Sequence, residues 1–208
     1  MELLDRYHAL KLKIKDRKEP FDRFIALLEK DTTWFTSPAS TRFHLAEEQG
    51  LLKHSVGVAE TLLHFRGFLA PAISKESCVM VGLFHDLGKL GMPGKPLYLP
   101  NDNEWVVKNR GIHYKINSDV VAMGLAVRSI FLVSQYIPLS EAETQAITYH
   151  DGQYIDDNKI IAHKEEPLTL LLHWADYWTA HIYEEGRESQ LQKLNAHRGN
   201  MSIDRRIL

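Results

Sequence analysis

Apolar residues recur at helical spacing along most of the chain. Between Leu51 and Leu69 they lie three or four positions apart, which predicts an amphipathic helix facing the core. Two further segments begin with capping residues: Ser74, and Ser140 with Glu143 three positions later, as in a capping box. The same reasoning predicts helices over about 21–30, 75–87, 118–136, 140–150 and 166–185. The pattern therefore predicts a mostly helical protein.

Three segments depart from this pattern. Residues 1–18 alternate apolar and charged side chains, which predicts a strand. Residues 91–115 are interrupted by proline and glycine, and their two short apolar runs, 96–99 and 104–107, predict a small β-hairpin insert over about 95–110. Residues 187–208 are polar and weakly patterned, and we interpret them as a C-terminal tail.

Composition narrows the class of protein. A chain of 208 residues can bury one core, so we expect a single domain over 1–208. The net charge of −2 argues against a protein that holds long nucleic acid on a basic face. The single cysteine, Cys78, lies in an apolar run and excludes an intramolecular disulfide, which fits a reducing cytoplasm. The chain has neither a signal-peptide pattern nor an apolar run of membrane-spanning length, so we expect a cytoplasmic protein.

The candidate chemistry lies in four short segments. They contribute His54, then the dipeptide His85-Asp86, then His150-Asp151, and finally Asp176. A single His-Asp dipeptide is a weak motif, and such residues can simply cap helices or edge a core. Here, however, each segment falls in or at the end of a predicted helix. Imidazole nitrogens and carboxylate oxygens together suit a divalent metal ion.

This order of residues resembles the HD-domain superfamily of metal-dependent phosphohydrolases. The matching pattern is His54, then His85-Asp86 followed by Leu-Gly-Lys, then Asp176, within a core of about residues 36–186. The resemblance implies an all-α HD-domain helical bundle in which His54, His85, Asp86 and Asp176 hold one divalent ion. That ion would be manganese, iron, zinc, nickel or magnesium. The stretch from Gly50 to His54 is similar to members that include 3′-to-5′ exoribonucleases and phage or bacterial hydrolases.

Departures from the family bear on the number of metal ions. Two-metal members place a histidine at the start of the fourth core helix and a histidine pair in the next one. Here these positions are Met123 and His150-Asp151, and a thioether is a poor ligand for such ions. We therefore expect one ion, with His150 acting on protons or phosphate. A second site at His150 and Asp151 remains an alternative.

Several residues are candidates for substrate contacts. Lys89 follows Asp86 by three positions and can contact phosphate as a point charge, or it can be a surface lysine at a helix end. We assign catalytic roles to Asp86, Lys89 and His150. Arg42, Trp105 and Arg110 are candidate substrate-binding residues, although a solvated arginine and a packed hairpin aromatic are the simpler interpretations.

Together these features predict a metal-dependent phosphohydrolase that uses metal-activated water on a phosphate ester or anhydride, and the predicted substrate is a nucleotide. The expected partner is a small phosphorylated substrate. One alternative is a 3′-to-5′ exonuclease or phosphodiesterase on short RNA or DNA. Another is a non-catalytic HD module that binds a nucleotide.

Overall fold

A computed structural model describes residues 2–43 and 45–187 of the chain. Within these residues, eight α-helices hold about half of the chain, and 3-10 and π-helical segments add to them. The α-helices are Leu3–Lys11 (α1), Lys18–Asp31 (α2), Gly50–Leu69 (α3), Lys75–Phe84 (α4), Glu104–Arg110 (α5), Leu125–Ser134 (α6), Glu141–Tyr149 (α7) and Pro167–Trp178 (α8). The protein is thus mostly helical, as the sequence predicts.

Shorter elements connect and extend these helices. Short 3-10 helices occupy Leu87–Leu90, Gly152–Tyr154 and Asp156–Ile161, and a π-helix, Thr179–Glu184, continues α8. Strands Gly91–Met92 (β1) and Lys95–Pro96 (β2) pair antiparallel, with Met92 opposite Lys95. Strands Tyr98–Pro100 (β3) and Tyr114–Ile116 (β4) form a second antiparallel pair, with Leu99 opposite Lys115.

Helix α3 lies at the centre of the fold and packs most extensively against α4 and α8. Its N-terminal two thirds are largely buried, which explains why apolar residues there occur on several faces. A Cβ atom added at Gly82 of α4 would lie 2.6 Å from the Cα of Ala59. Glycine therefore allows the two helix backbones to approach closely, and this contact holds together the elements that carry His54 and His85.

The core consists of two apolar clusters on either side of α3. The first joins the N-terminal helices to α3 and α4, where the Phe24 and Phe84 rings meet edge to face at 5.3 Å. The second lies between α3, α4, α7 and α8, and includes the buried cysteine Cys78. Apolar packing alone therefore fixes the positions of the four elements that carry the candidate ligands, without a contribution from a bound metal.

A buried ionic network anchors the loop between α1 and α2. The Arg17 guanidinium lies 2.8 Å from Glu76 and 2.7 Å from Glu143. The Glu76 carboxylate also accepts hydrogen bonds from the backbone N–H groups of Lys15 and Asp16, at 2.6 and 2.9 Å. These bonds satisfy the buried charges and attach the N-terminal segment to the first turns of α4 and α7.

The strand predicted over residues 1–18 is wrong. This segment forms α1, which buries Tyr7 and Leu10 at helical spacing, followed by a turn that leads into α2. The alternation of Leu10, Leu12 and Ile14 misled the prediction, because Leu12 is 72% exposed and so does not mark a buried face.

The hairpin predicted over about 95–110 is correct only in part. Residues 104–107 belong to α5 rather than to a strand, and β3 pairs instead with β4. The side chain of Asn103 accepts a hydrogen bond from the Val106 N–H and caps α5, while Gly111 ends the helix at φ +63°.

Other helix boundaries differ slightly from prediction. Helix α4 ends at Phe84 rather than 87, and α6 begins at Leu125 rather than 118. Both predicted caps are present, since Ser74 caps α4 and Ser140 forms a capping box with Glu143. None of the described helices is long and apolar enough to cross a membrane. The predicted tail lies outside the described residues after Arg187.

Candidate metal centre

Five predicted side chains from four parts of the fold meet at one buried point. His54 comes from α3, His85 and Asp86 directly follow α4, His150 directly follows α7, and Asp176 belongs to α8. The three imidazoles and Asp86 are buried, and the Asp176 side chain is 21% exposed. Such a concentration of polar groups in the interior requires partners, because unpaired buried charges are costly.

The distances between the donor atoms suit a shared metal ion. His54 Nε2 lies 3.2 Å from His85 Nε2 and 3.0 Å from Asp176 Oδ1. Asp86 Oδ2 lies 3.6 Å from both histidine Nε2 atoms. Two ligands about 2.1 Å from one ion and about 90–110° apart are about 3.0–3.4 Å from each other. The donors form two overlapping sets within 4.8 Å, one of His54, His85 and Asp176 and the other of His85, Asp86 and His150. Asp86 lies close enough to both His54 and His85 to complete the coordination of one ion.

His150 and Asp151 extend the cluster on one side. His150 Nε2 lies 3.7 Å from Asp86 Oδ1 and 3.8 Å from Asp151 Oδ1. His150, Asp151 and Asp176 also form a set of donors within 4.8 Å of one another. The side chain of Asp151 is 56% exposed, unlike the other members. The fold thus offers donor atoms for a second ion, and the expectation of a single ion stays a prediction.

The imidazoles are held so that one nitrogen of each faces the cluster. His85 Nδ1 lies 3.0 Å from the Gly82 carbonyl oxygen, and His150 Nδ1 lies 2.8 Å from that of Ile147. Because a carbonyl oxygen can only accept, each Nδ1 carries a proton, and Nε2 is the nitrogen that faces the cluster and can coordinate once it is unprotonated. Metal-ligating histidines have this arrangement.

His54 is oriented differently, by a carboxylate. Its Nδ1 lies 2.9 Å from Oε1 of Glu184, which is at the end of the π-helix. Sequence analysis did not identify Glu184, since no motif surrounds it and it lies 130 positions from His54. Only the folded chain brings the two together.

The charges of the metal-free histidines differ although all three are buried. Burial disfavours the charged form of His54, but hydrogen bonds with Asp176 and Glu184 outweigh it and raise its pKa to about 10. At His150 burial is likewise outweighed by the hydrogen bond with Asp86, and the pKa rises to about 9. At His85 burial prevails and lowers the pKa to about 4.

The two ligand carboxyl groups are held in the ionised form. Burial alone would raise their pKa values, yet the charge of Lys89 keeps the pKa of Asp86 well below its usual range. The hydrogen bond from His54 does the same for the pKa of Asp176. Both carboxylates are therefore available as ligands at neutral pH.

Lys89 lies against the cluster rather than on the surface. It belongs to the 3-10 helix after Asp86, its side chain is 14% exposed, and its Nζ is 2.5 Å from Asp86 Oδ2. It also lines a cavity of about 650 Å³ together with Thr41, Phe43 and Tyr98. Of the two interpretations from sequence, this position favours contact with a ligand in the cavity.

A second cavity opens beside the ligand carboxylates. It measures about 390 Å³ and is lined by Asp151, Asp176, Tyr154, Tyr177, His173 and His181. The Tyr154 and Tyr177 rings are nearly parallel, at 16°, with centroids 6.3 Å apart. His181 lines both cavities, so they adjoin at its side chain.

Other predicted substrate contacts lie elsewhere. Arg42 is exposed and its guanidinium lies over the Phe43 ring at 4.7 Å. Trp105 and Arg110 lie on α5, where the guanidinium is 5.5 Å from the indole. Within residues 2–43 and 45–187, none of these three forms a hydrogen bond or ion pair with the cluster.

His173 supports the centre without reaching it directly. Its Nδ1 lies 2.7 Å from the backbone oxygen of His150, a residue of the cluster. Gly152 makes room for its ring, since a Cβ atom there would lie 2.4 Å from His173 Cε1.

Comparison of the chain with protein-family models, curated proteins and solved structures gave no match. Function is therefore inferred from the donor set and the cavities beside it.

Proposed function

We propose that the protein is a metal-dependent phosphohydrolase of the HD type. Its substrate would be a small molecule, a nucleotide, in which it hydrolyses a phosphate ester or anhydride bond. The observation that carries this proposal is the convergence of His54, His85, Asp86 and Asp176 at ligand distances, with His150 beside them. The fixed Nδ1 atoms of the imidazoles support it further, because they leave the Nε2 atoms free to coordinate.

The donor set indicates which ions fit. Imidazole ligands suit manganese, iron, zinc and nickel, whereas magnesium prefers oxygen ligands alone. When bound, such an ion polarises a phosphoryl oxygen and lowers the pKa of coordinated water toward neutrality. The chain's own residues must then bind the substrate, orient it and handle protons.

Two residues beside the ligands suit these tasks. Lys89 Nζ, held by Asp86 and facing the larger cavity, can contact a phosphate oxygen as a fixed positive charge. His150 Nε2 faces the cluster while its Nδ1 is bound to Ile147, so Nε2 is the atom at which a proton would be held or moved. The ligand Asp86 links both residues to the centre.

The smaller cavity suits the organic part of the substrate. Its volume of about 390 Å³ and its exposed tyrosine rings fit a planar base, which binds by stacking on aromatic faces. Tyr177 directly follows the ligand Asp176 in the chain, so a base on its ring would lie next to the centre. We therefore propose Tyr154 and Tyr177 as the stacking surface, in addition to the candidates Trp105 and Arg110 on α5.

The test is phosphate release from a panel of nucleoside mono-, di- and triphosphates, measured with each of several divalent metals. We expect release from one or more nucleotides, loss of release in Asp86→Ala, and little degradation of RNA or single-stranded DNA. Rapid shortening of an oligonucleotide with every mononucleotide intact would favour the exonuclease. Metal and nucleotide binding without product under any condition would favour a non-catalytic module.

Two variants locate the substrate surface. Tyr177→Ala is expected to raise KM for the active nucleotide about tenfold, because it removes one stacking contact of about 1–3 kcal/mol. Metal content should not change. The double variant Trp105→Ala/Arg110→Ala tests the α5 surface by the same measurement. A KM that Tyr177→Ala leaves unchanged would contradict the stacking surface proposed here.

A further inference from the structure

We infer that Glu184 is a positioning residue of the metal centre, which fixes the orientation and tautomer of His54, and that the π-helix Thr179–Glu184 brings it into place. The inference rests on the metal centre of the proposed function. It assigns a role to a residue and an element that no sequence motif marks.

The position of Glu184 excludes it as a ligand of the same ion. Its Oε1 lies 2.9 Å from His54 Nδ1, whereas the Nε2 atom on the opposite side of the ring faces Asp176 and His85. The imidazole ring therefore separates Glu184 from the cluster. With a side chain only 9% exposed, the carboxylate is shielded from water and its hydrogen bond is correspondingly strong.

The contact determines which nitrogen of His54 can coordinate. An ionised carboxylate only accepts hydrogen bonds, so a proton stays on Nδ1, and Nε2 is the nitrogen that gives up its proton and coordinates the metal. His85 and His150 achieve the same orientation with neutral carbonyl groups. A charged acceptor in addition makes the imidazole a stronger donor to a metal, and such partners tune metal affinity.

The π-helix explains how Glu184 reaches His54. Glu184 follows Asp176 by eight residues, and in a continuous α-helix eight steps of about 100° would place it about 80° around the axis from Asp176. A π-helix has i→i+5 hydrogen bonds and more residues per turn, so each residue turns through a smaller angle. The π-helical turn thus returns Glu184 toward the face of Asp176.

One continuous segment therefore contacts both ring nitrogens of His54. Asp176 of α8 lies 3.0 Å from Nε2, and Glu184 of the π-helix lies 2.9 Å from Nδ1. The start of the π-helix is anchored to α3, the helix of His54, by a buried hydrogen bond of 2.9 Å from Thr179 to Thr61. π-Helical turns occur frequently at functional sites, which agrees with this role.

The experiment measures affinity for Zn²⁺ and Mn²⁺ alone, by competition with a fluorescent chelator, in the full chain without substrate. We expect Glu184→Ala to weaken binding about 10–100-fold, the range typical of partners that orient metal-binding histidines. Glu184→Gln keeps an oxygen acceptor without charge, so its affinity should lie between those of wild type and Glu184→Ala. The visible absorption of bound Co²⁺ should change in Glu184→Ala, because His54 loses the carboxylate that orients its ring.

The neighbouring Glu185 provides a matched control. It pairs with His181 at 2.9 Å and with Arg187 at 2.6 Å, away from His54. Glu185→Ala should bind both metals within about twofold of wild type. Melting temperatures of the metal-free proteins show whether a variant is merely less stable, since lower stability alone does not change affinity well below the melting temperature.

Unchanged affinity and an unchanged Co²⁺ spectrum in Glu184→Ala would overturn the inference while leaving the proposed function intact. If Glu184→Ala does not fold, Glu184→Gln decides, and wild-type affinity in that variant would overturn the inference. Wild-type protein that binds neither ion would overturn both this inference and the proposed function. Wild-type protein that binds metal without hydrolysing any nucleotide would refute only the proposed function.

Discussion

Metal binding to the cluster is expected to release about two protons per chain at neutral pH. In the metal-free protein the pKa of His54 is raised to about 10 and that of His150 to about 9, so both are protonated at pH 7. The pKa of His85 is lowered to about 4, so it has no proton to lose. An ion that takes Nε2 of His54 must displace its proton. An ion on Asp86 also cancels the attraction that keeps His150 charged, 3.7 Å away.

The pH dependence follows from these values. With two protons released, the apparent metal association constant should rise about 100-fold per pH unit between pH 7 and about 9, and about tenfold per unit from there to about 10. The stability of the metal-free protein should change in the opposite direction. Raised histidine pKa values stabilise the folded state fully below about pH 6.5, and this contribution is lost as the pH rises toward 9 and 10.

Calorimetric titration with Zn²⁺ or Mn²⁺ in two buffers of different ionisation enthalpy counts the released protons directly. His150→Ala should release about one proton, while a variant at the exposed His113 should still release about two. Release of less than half a proton by the wild type, or a wild-type count in His150→Ala, would refute the charge assignment.

Three further predictions concern the surrounding structure. Glu76→Gln should lower the free energy of unfolding by about 3 kcal/mol in urea titrations, because Arg17 keeps only Glu143 as an ionic partner and three backbone N–H groups lose their charged acceptor. Gly152→Ala should lower the free energy of unfolding, measured by thermal denaturation, by about 1–2 kcal/mol. The backbone of Gly152 has φ +64°, which disfavours alanine, and the new methyl group would contact His173. Asp86→Ala should lose bound metal while keeping its far-ultraviolet circular dichroism, and a full equivalent of retained metal would contradict the ligand assignment.

Local signals made much of the fold predictable. Helix α3 has a long apolar period, and α4 and α7 begin with serine caps that work through bonds to the next three residues. Four of the five cluster residues lie in or next to these helices, and the fifth, Asp176, lies in α8, which the sequence also predicts as a helix. The order of these residues along the chain suggests that they share one site, and packing of the helices brings them into contact.

The features that sequence reasoning missed depend on tertiary contacts, which the local pattern of apolar and polar residues does not reveal. Helix α5 has seven residues and none of them is buried, so no apolar period marks it, and its cap at Asn103 also resembles a hairpin turn. Glu184 was missed because helical spacing from Asp176 gives the wrong face unless the π-helix is known. The tyrosine pair was missed because Tyr154 and Tyr177 become neighbours only when the 3-10 segment after α7 folds against α8.

The wide spacing of the ligands along the chain has a consequence for folding kinetics. His54 and Asp176 are separated by 122 positions (176 − 54), and the residues between them supply the other donors. No early intermediate that lacks α8 can therefore offer the complete set, and closing so long a loop occurs late. We expect metal to slow unfolding while leaving the folding rate nearly unchanged, since only the native state binds it. In the cell, metal supply would then determine how long each folded molecule persists rather than how quickly it forms.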